Sequence, residues 1–125
     1  MLTRRIIPCL DIRAGRIVKG VRFAGLRDAG DPAQRAALYE SQGADEIVVL
    51  DISATAEDRA AAEDTIRKVR AAISIPMTVG GGVRDAAGAG ALLRAGADKV
   101  SMNSAAVDRP ELVRECARLY GSQCA

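Results

Sequence analysis

The sequence of 125 residues contains no histidine and only three aromatic residues. The absence of histidine excludes histidine-based catalytic triads, imidazole general bases and histidine-containing zinc sites. The three cysteines, Cys9, Cys116 and Cys124, show no CxxC spacing. Their odd number excludes a fully paired disulfide scaffold and favours a reducing compartment. No apolar run approaches the ~18 residues of a membrane span. We therefore expect a cytoplasmic protein without metal or cofactor.

The charge balance excludes two classes of partner. Eighteen basic and sixteen acidic residues give a net charge of +2, and no block of like charge occurs. This distribution argues against a nucleic-acid surface and against a polybasic membrane anchor. With 49% hydrophobic residues, the length fits one globular domain over residues 1–125.

Two kinds of apolar segment alternate along the chain. Short β-branched runs predict strands at residues 6–10, 47–50, 77–79 and 99–102, with an extra hairpin over residues 12–23. Segments with helical spacing predict helices at residues 32–42, 59–73, 85–94 and 110–120. Asp31 and Asp108 precede proline-containing helix starts and are predicted to cap them. Wholly apolar strands that alternate with helices indicate an α/β fold with a parallel sheet.

The sequence also repeats itself. Gly-Ala-Asp at residues 43–45 recurs at residues 96–98, each time directly before a predicted strand, and Leu-Asp-Ile at residues 10–12 recurs at 50–52. Such repeats are typical of stacked βα units. Four units fill this chain, whereas a closed eight-unit barrel typically needs about 250 residues. We therefore predict four βα units that form half of a TIM-type (βα)8 barrel, with a tail approaching a fifth strand.

Two carboxylates, Asp11 and Asp51, end the first two predicted parallel strands. In βα barrels this edge carries the active site, and a carboxylate there can act as a general acid or base. The alternative for each is to cap the turn that follows. A glycine-containing loop rather than a helix follows Asp11, which favours a catalytic role, while Asp51 fits both roles equally.

Three glycines at residues 80–82 directly follow the third predicted parallel strand. Their N–H groups and the N-terminus of the next helix suit a phosphate, although a tight turn would need glycine as well. Asn103 and Ser104 follow the neighbouring strand and can reach the same anion. We predict a substrate phosphate site that includes Gly81, Gly82, Asn103 and Ser104, with Asp51 beside it.

Charged residues mark the loop after the first strand and the amino ends of the strands. Lys19 lies in a glycine-punctuated stretch and can close over a phosphorylated substrate, with a solvated hairpin charge as the alternative. Arg5, Glu46 and Lys99 stand at equivalent places on the first, second and fourth predicted parallel strands. Because buried charges must pair, they predict a salt-bridged ring across one end of a barrel.

In combination, these stretches resemble the cyclase subunits of imidazole glycerol phosphate synthase, enzymes of histidine biosynthesis. The resemblance rests on residues 5–11, 15–20, 49–52, 78–82 and 97–106 and covers nearly the whole chain. The related phosphoribosyl isomerase of the same pathway is the alternative, but Cys-Leu-Asp at residues 9–11 and residues 99–103 match the cyclase pattern. Ser104 stands where the family usually has threonine, which keeps the hydroxyl group.

The resemblance implies a lyase that uses ammonia from a glutaminase partner to form imidazole glycerol phosphate and aminoimidazole carboxamide ribonucleotide. It implies that Asp11 is one of two catalytic aspartates and that Lys19 belongs to a closing loop. Gly82, Asn103 and Ser104 would belong to one of two phosphate sites. The other implied roles are an ammonia gate of Arg5, Glu46 and Lys99, a channel lined by Cys9, Thr78 and Ser101, and a glutaminase contact at Asp98.

The family's second catalytic aspartate and second phosphate site lie beyond this length. We therefore predict an N-terminal half that binds phosphate and is inactive or nearly so. The alternatives are a phosphate-binding module without catalysis and an assembly unit that pairs with a second half-barrel. Unpaired edges at the first and fourth parallel strands, and an uncovered apolar face, predict a homo-oligomer.

Overall fold

One six-stranded sheet organises the part of the chain that the structure describes. The structure is a computed structural model and describes residues 2–21, 24–53 and 55–125. Its strands are β1 (Cys9–Arg13), β2 (Arg16–Val21), β3 (Ala24–Gly30), β4 (Ile47–Asp51), β5 (Met77–Gly80) and β6 (Lys99–Ser101). Its helices are α1 (Pro32–Ser41), α2 (Ala56–Ala72), α3 (Ala86–Ala95), α4 (Ser104–Asp108) and α5 (Glu111–Tyr120). None of these helices is long and apolar enough to cross a membrane.

The sheet is parallel where the sequence predicts it to be. The strand order is β3-β2-β1-β4-β5-β6, and β1, β4, β5 and β6 run parallel to one another. Each parallel strand is followed, directly or after the β2–β3 ribbon, by a helix. The prediction of an α/β fold built from four βα units is therefore confirmed.

The segment after β1 differs from the predicted hairpin. The strands β2 and β3 form an antiparallel ribbon that extends to Gly30, well past the predicted end at Phe23, a residue that lies outside the described ones. The ribbon joins β1 antiparallel at Ile12 and Arg13. The prediction of a wholly unpaired edge on the first strand is therefore wrong, because β2 covers its carboxyl end.

Alternation along the strands gives the sheet one covered and one uncovered face. Seven strand residues that point to the helices are buried, namely Leu10, Ile12, Ile47, Val49, Met77, Val79 and Val100. The first six pack against buried helix residues such as Ala62, Ile66 and Val69 of α2, and Val100 packs with Ala89 and Leu112. Their neighbours on the other face, such as Cys9 and Ser101, are exposed. The core therefore lies between the sheet and its helices, and the opposite face is left to solvent.

The repeated Gly-Ala-Asp motif forms the same hydrogen-bonded clip twice. Asp45 donates its N–H to the carbonyl of Ile6, and its carboxylate accepts the N–H of Ile6 at 2.6 Å. In the second copy, Asp98 makes the equivalent pair of bonds with Met77, the carboxylate bond being 2.8 Å. In each case the acid fixes the first residues of the neighbouring parallel strand. The repeat thus sets strand register.

Helix starts follow local capping. The side chains of Asp31, Thr55 and Asp85 accept N–H groups in the first turns of α1, α2 and α3. The Thr55 cap starts α2 three residues before the predicted start. The prediction that Asp108 caps the last helix is wrong, because Asp108 ends the short helix α4 and Pro110 precedes α5.

The two repeat glycines provide a matched test of this packing. Both have positive φ, 98° at Gly43 and 127° at Gly96, so alanine is strained at either position by ~1–2 kcal/mol. A Cβ at Gly43 meets nothing within 4 Å, whereas one at Gly96 would lie 2.7 Å from Cγ of Arg70. Arg70 in turn holds Asp98.

We expect Gly96→Ala to lower the free energy of unfolding by at least ~1 kcal/mol more than Gly43→Ala. Urea denaturation of the two variants measures this difference. Equal losses would contradict the assignment of Gly96 as a tight contact with Arg70.

Candidate functional site

The carboxyl ends of β4, β5 and β6 enclose a cavity that contains predicted site residues. This cavity has a volume of about 550 Å³. Its lining includes six of the predicted residues, namely Asp51, Gly81, Gly82, Ser101, Asn103 and Ser104. Because parallel strands end at one edge of the sheet, loops distant in sequence meet here. The structure therefore brings the predicted phosphate residues together.

Glycine is required in this cavity wall by close packing. A Cβ at Gly81 would lie 2.0 Å from the carbonyl oxygen of Asp51, and Gly81 has a φ of 92°. The loop after β5 is thus pressed against the end of β4, and no other residue fits without moving the backbone. This contact sets the shape of the cavity.

The carboxylate of Asp51 holds the turn after β4. Its Oδ1 accepts the N–H of Ser53 at 2.8 Å and also the hydroxyl group of Ser53. This is the turn-capping alternative that the sequence left open. Asp51 therefore has a structural role at the cavity wall.

The donors for an anion come from the loops and not from the adjacent helix end. The first turn of α3 already has a carboxylate partner, because Asp85 accepts the N–H of Gly88 at 2.7 Å. The side chain of Asn103 makes no capping bond to α4 and is exposed. This arrangement leaves the loop around Gly82 and the turn at Asn103 and Ser104 to contact a phosphate.

Asp11 and Lys19 share a second cavity, of about 400 Å³, between β1, the β2–β3 ribbon and α1. Cys9, Arg35 and Tyr39 also line it. The structure thus places the loop lysine on the same cavity as Asp11. Asp11 and the phosphate residues line different cavities along the same edge.

Five of the six predicted gate and channel residues lie on or directly before the strands that form the uncovered face, and Arg5 lies four residues before β1. Strand register aligns Cys9, Val48, Thr78 and Lys99 in one row across the sheet. The next row contains Asp11, Leu50, Gly80 and Ser101. Arg5 bonds Glu46 at 2.6 Å near the amino ends of the strands. Within the described part of the chain, Lys99 forms no salt bridge, so two of the three predicted ring members pair.

The predicted interface residue Asp98 is engaged within the chain. Its Oδ2 accepts bonds from Arg70 and from the N–H of Met77, both at 2.8 Å. Arg70 also donates to the carbonyls of Ile73 and Ile75. The side chain of Asp98 remains 50% exposed, so one side of it still faces solvent.

Arg59, in the first turn of α2, is not among the site residues predicted from the sequence. Its Nε is buried and donates to no acceptor. This Nε lies 3.6 Å from the position that a Cβ at Gly82 would occupy, directly beside the loop that follows β5. Helical periodicity marks the buried face of α2 but gives no signal for this contact, which depends on how α2 packs beside the loop after β5.

The thiol of Cys9 provides a probe of the second cavity. Two effects raise the pKa of Cys9: desolvation by burial, which is the larger, and the negative charge of Asp11. Because the thiolate is the reactive form, Asp11→Asn should lower that pKa and increase the alkylation rate of Cys9 at about pH 8, by about twofold. Mass spectrometry after timed iodoacetamide treatment measures this rate.

The matched control for this experiment is Asp51→Asn, which removes the equivalent charge from the next strand. It should leave the alkylation rate of Cys9 unchanged. Equal rates in the wild type and in Asp11→Asn would mean that Asp11 does not face the thiol.

Comparison with known proteins identifies the family of the chain. The sequence model of the family described as "Histidine biosynthesis protein" matches residues 5–125. A curated relative from Halalkalibacterium halodurans, "Imidazole glycerol phosphate synthase subunit HisF", is 59% identical over 124 residues, which are 99% of this chain and 49% of the relative.

Two further relatives with the same name give the same result. That from Frankia casuarinae is 58% identical over 120 residues, covering 96% of this chain and 47% of its own length. That from Anoxybacillus flavithermus is 57% identical over 124 residues, covering 99% and 49%. The chain thus spans about half the length of the curated relatives it matches.

Proposed function

Because this chain belongs to the histidine biosynthesis protein family, we propose that it is the N-terminal half of a cyclase subunit of imidazole glycerol phosphate synthase. Residues 1–125 would form a single (βα)4 half-barrel domain. The complete enzyme would use ammonia from a glutaminase partner to form imidazole glycerol phosphate and aminoimidazole carboxamide ribonucleotide. The names of the relatives support this function over that of the phosphoribosyl isomerase.

One observation carries the proposal. Asp11 and the phosphate residues lie along a single edge of the sheet, while the Arg5–Glu46 pair lies toward the opposite ends of the same strands. This separation suits a reaction that receives a small reactant at one end and holds a phosphorylated substrate at the other.

In this proposal Asp11 acts as a general acid or base, and Lys19 contacts the substrate across the cavity that the two residues share. Gly81, Gly82 and Asn103 bind one substrate phosphate, together with Ser104 and with Asp51 beside it. The chain contains no histidine, so a carboxylate is the available group for proton transfer at this edge.

Ammonia would travel along the uncovered face. Arg5, Glu46 and Lys99 would form three members of its gate, and Cys9, Thr78 and Ser101 would line its path. Their common position on or beside one face of the sheet supports this route. Asp98 would present its exposed side to the glutaminase, while Arg70 fixes its orientation.

Turnover should depend on Asp11 once a C-terminal half is added. General acid–base catalysis contributes typically ~10²–10⁴-fold, so Asp11→Asn should lower kcat by at least ~10²-fold. Asp51→Asn should lower kcat less, because its carboxylate already holds Ser53. Steady-state kinetics with ammonia as nitrogen donor measures both. An equal loss in Asp51→Asn would mean that the proposal assigns the acid–base role to the wrong carboxylate.

A second candidate function, as an assembly unit, is favoured by the uncovered sheet face. Ile7 and Cys9 are exposed and Val48 and Leu50 are only half-buried on it. Apolar surface of this kind rarely stays in contact with water. We propose that the chain alone forms a homodimer or a higher even-numbered oligomer through this face and the sheet edges.

Analytical ultracentrifugation at micromolar concentration should show a mass at least twice that of the 13.1 kDa chain. Val48→Lys, which adds a charge to the uncovered face, should shift the equilibrium toward monomer. Arg114→Glu, which changes an exposed position of α5, should not. A monomeric wild type would contradict this assembly.

A further inference from the structure

The buried guanidinium nitrogen of Arg59 points to a role at the phosphate loop. Its Nε is the only buried side-chain nitrogen or oxygen without a hydrogen-bond partner among the described residues. A buried donor without a partner costs free energy, so its persistence beside a binding loop suggests an acceptor that arrives with a ligand.

Arg59 also differs from the other basic residues of α2. Arg67 pairs with Glu63, Lys68 with Asp64 and Arg70 with Asp98. Arg59 forms no salt bridge within the described part of the chain. The acid nearest to it in the helix, Asp58, instead faces Arg13 at 3.8 Å. Arg59 is therefore the α2 cation whose charge is not neutralised by a described carboxylate.

The phosphate cavity needs such a charge. Its backbone N–H donors carry no net charge, and Asp51 adds a negative one to the lining. The lining contributes a single cation, Arg84, which is exposed and therefore well screened. A phosphate monoester carries nearly two negative charges above neutral pH. Arg59, with its Nε 3.6 Å from the Cβ position of Gly82, supplies positive charge from a site protected from water.

We propose that Arg59 supplies the positive charge that makes the loop at Gly82 selective for dianionic phosphate monoesters over monoanions of the same shape. This inference rests on the proposed phosphate site and adds to it the residue that determines charge selectivity. Arg59 donates its Nε–H to a phosphate oxygen from the α2 side of the loop, while Gly82, Asn103 and Ser104 contact the other oxygens.

The test compares methyl phosphate with methyl sulfate, two tetrahedral anions that differ by one charge at about pH 8. Titration calorimetry on the full chain gives the affinity for each. The wild type should prefer methyl phosphate. Arg59→Gln should weaken methyl phosphate binding about tenfold or more and should bring the ratio of the two affinities close to one.

Two variants control for charge and for geometry. Arg67→Gln removes the same charge from the same helix at an exposed position and should leave both affinities unchanged. Arg59→Lys keeps the charge and should retain most of the preference. If Arg59→Gln weakens both ligands equally, Arg59 only supports the loop and the inference is overturned. Unchanged binding in Arg59→Gln overturns it as well.

A measurement without substitution covers the case in which Arg59→Gln fails to fold. The ¹⁵Nε–¹Hε resonance of Arg59, assigned by its absence in Arg59→Lys, should shift when methyl phosphate is added and shift less with methyl sulfate. An unchanged resonance at saturating methyl phosphate overturns the inference.

The proposed phosphate site can fail separately. Gly82→Asp projects a carboxylate into the cavity and should abolish binding of both anions. If it does so while Arg59→Gln changes nothing, the site stands and the role of Arg59 is wrong. If the wild type binds neither anion, both the site and the inference fail.

Discussion

The arrangement of every candidate residue depends on the register of four parallel strands, and two aspartates fix that register. Asp45 ties β4 to the segment before β1 through Ile6, and Asp98 ties β6 to the start of β5 through Met77. Hydrogen bonds to a charged group contribute about 1.5–3 kcal/mol where they are shielded from water, and less at this partly exposed edge. If one strand shifted its register by one residue, its side chains on the uncovered face would turn to the helix layer. The clips at the amino ends therefore control which side chains meet at the carboxyl ends.

The sequence predicted the elements whose signals are local. The apolar runs of β4, β5 and β6, the caps at Asp31 and Asp85 and the glycine-terminated helices follow from pattern and propensity. The ribbon strand β3 could not be predicted, because Ala24–Gly30 contains two glycines and no alternation. It is a strand because it pairs with β2. The short helix α4 was likewise missed, since its five residues bury nothing and carry no periodic signal.

The candidate site could be predicted only in part, for a related reason. Strand ends can be located from sequence, so Asp51 and the glycine loop were found where they were predicted. The prediction that Asp11 ends the first strand is wrong, because β1 continues to Arg13 through its pairing with β2. What a strand end cannot reveal is the contact from a neighbouring helix, which is how Arg59 reaches Gly82. Nor could the sequence show that Asp11 and the phosphate residues line different cavities, since this depends on the position of the β2–β3 ribbon.

The residues proposed for phosphate binding and the aspartate proposed for catalysis line different cavities. The proposed phosphate residues and Arg59 all belong to the continuous segment from β4 to α4. Asp11 instead lies half-buried on the uncovered side of β1, in the cavity that it shares with Lys19. Water that reaches this side screens charges and competes for protons, which weakens acid–base catalysis more than it weakens the hydrogen bonds of backbone N–H donors. The residues proposed to bind phosphate therefore all lie within this chain, whereas the proposed acid–base role of Asp11 requires a second body to cover the face on which it lies.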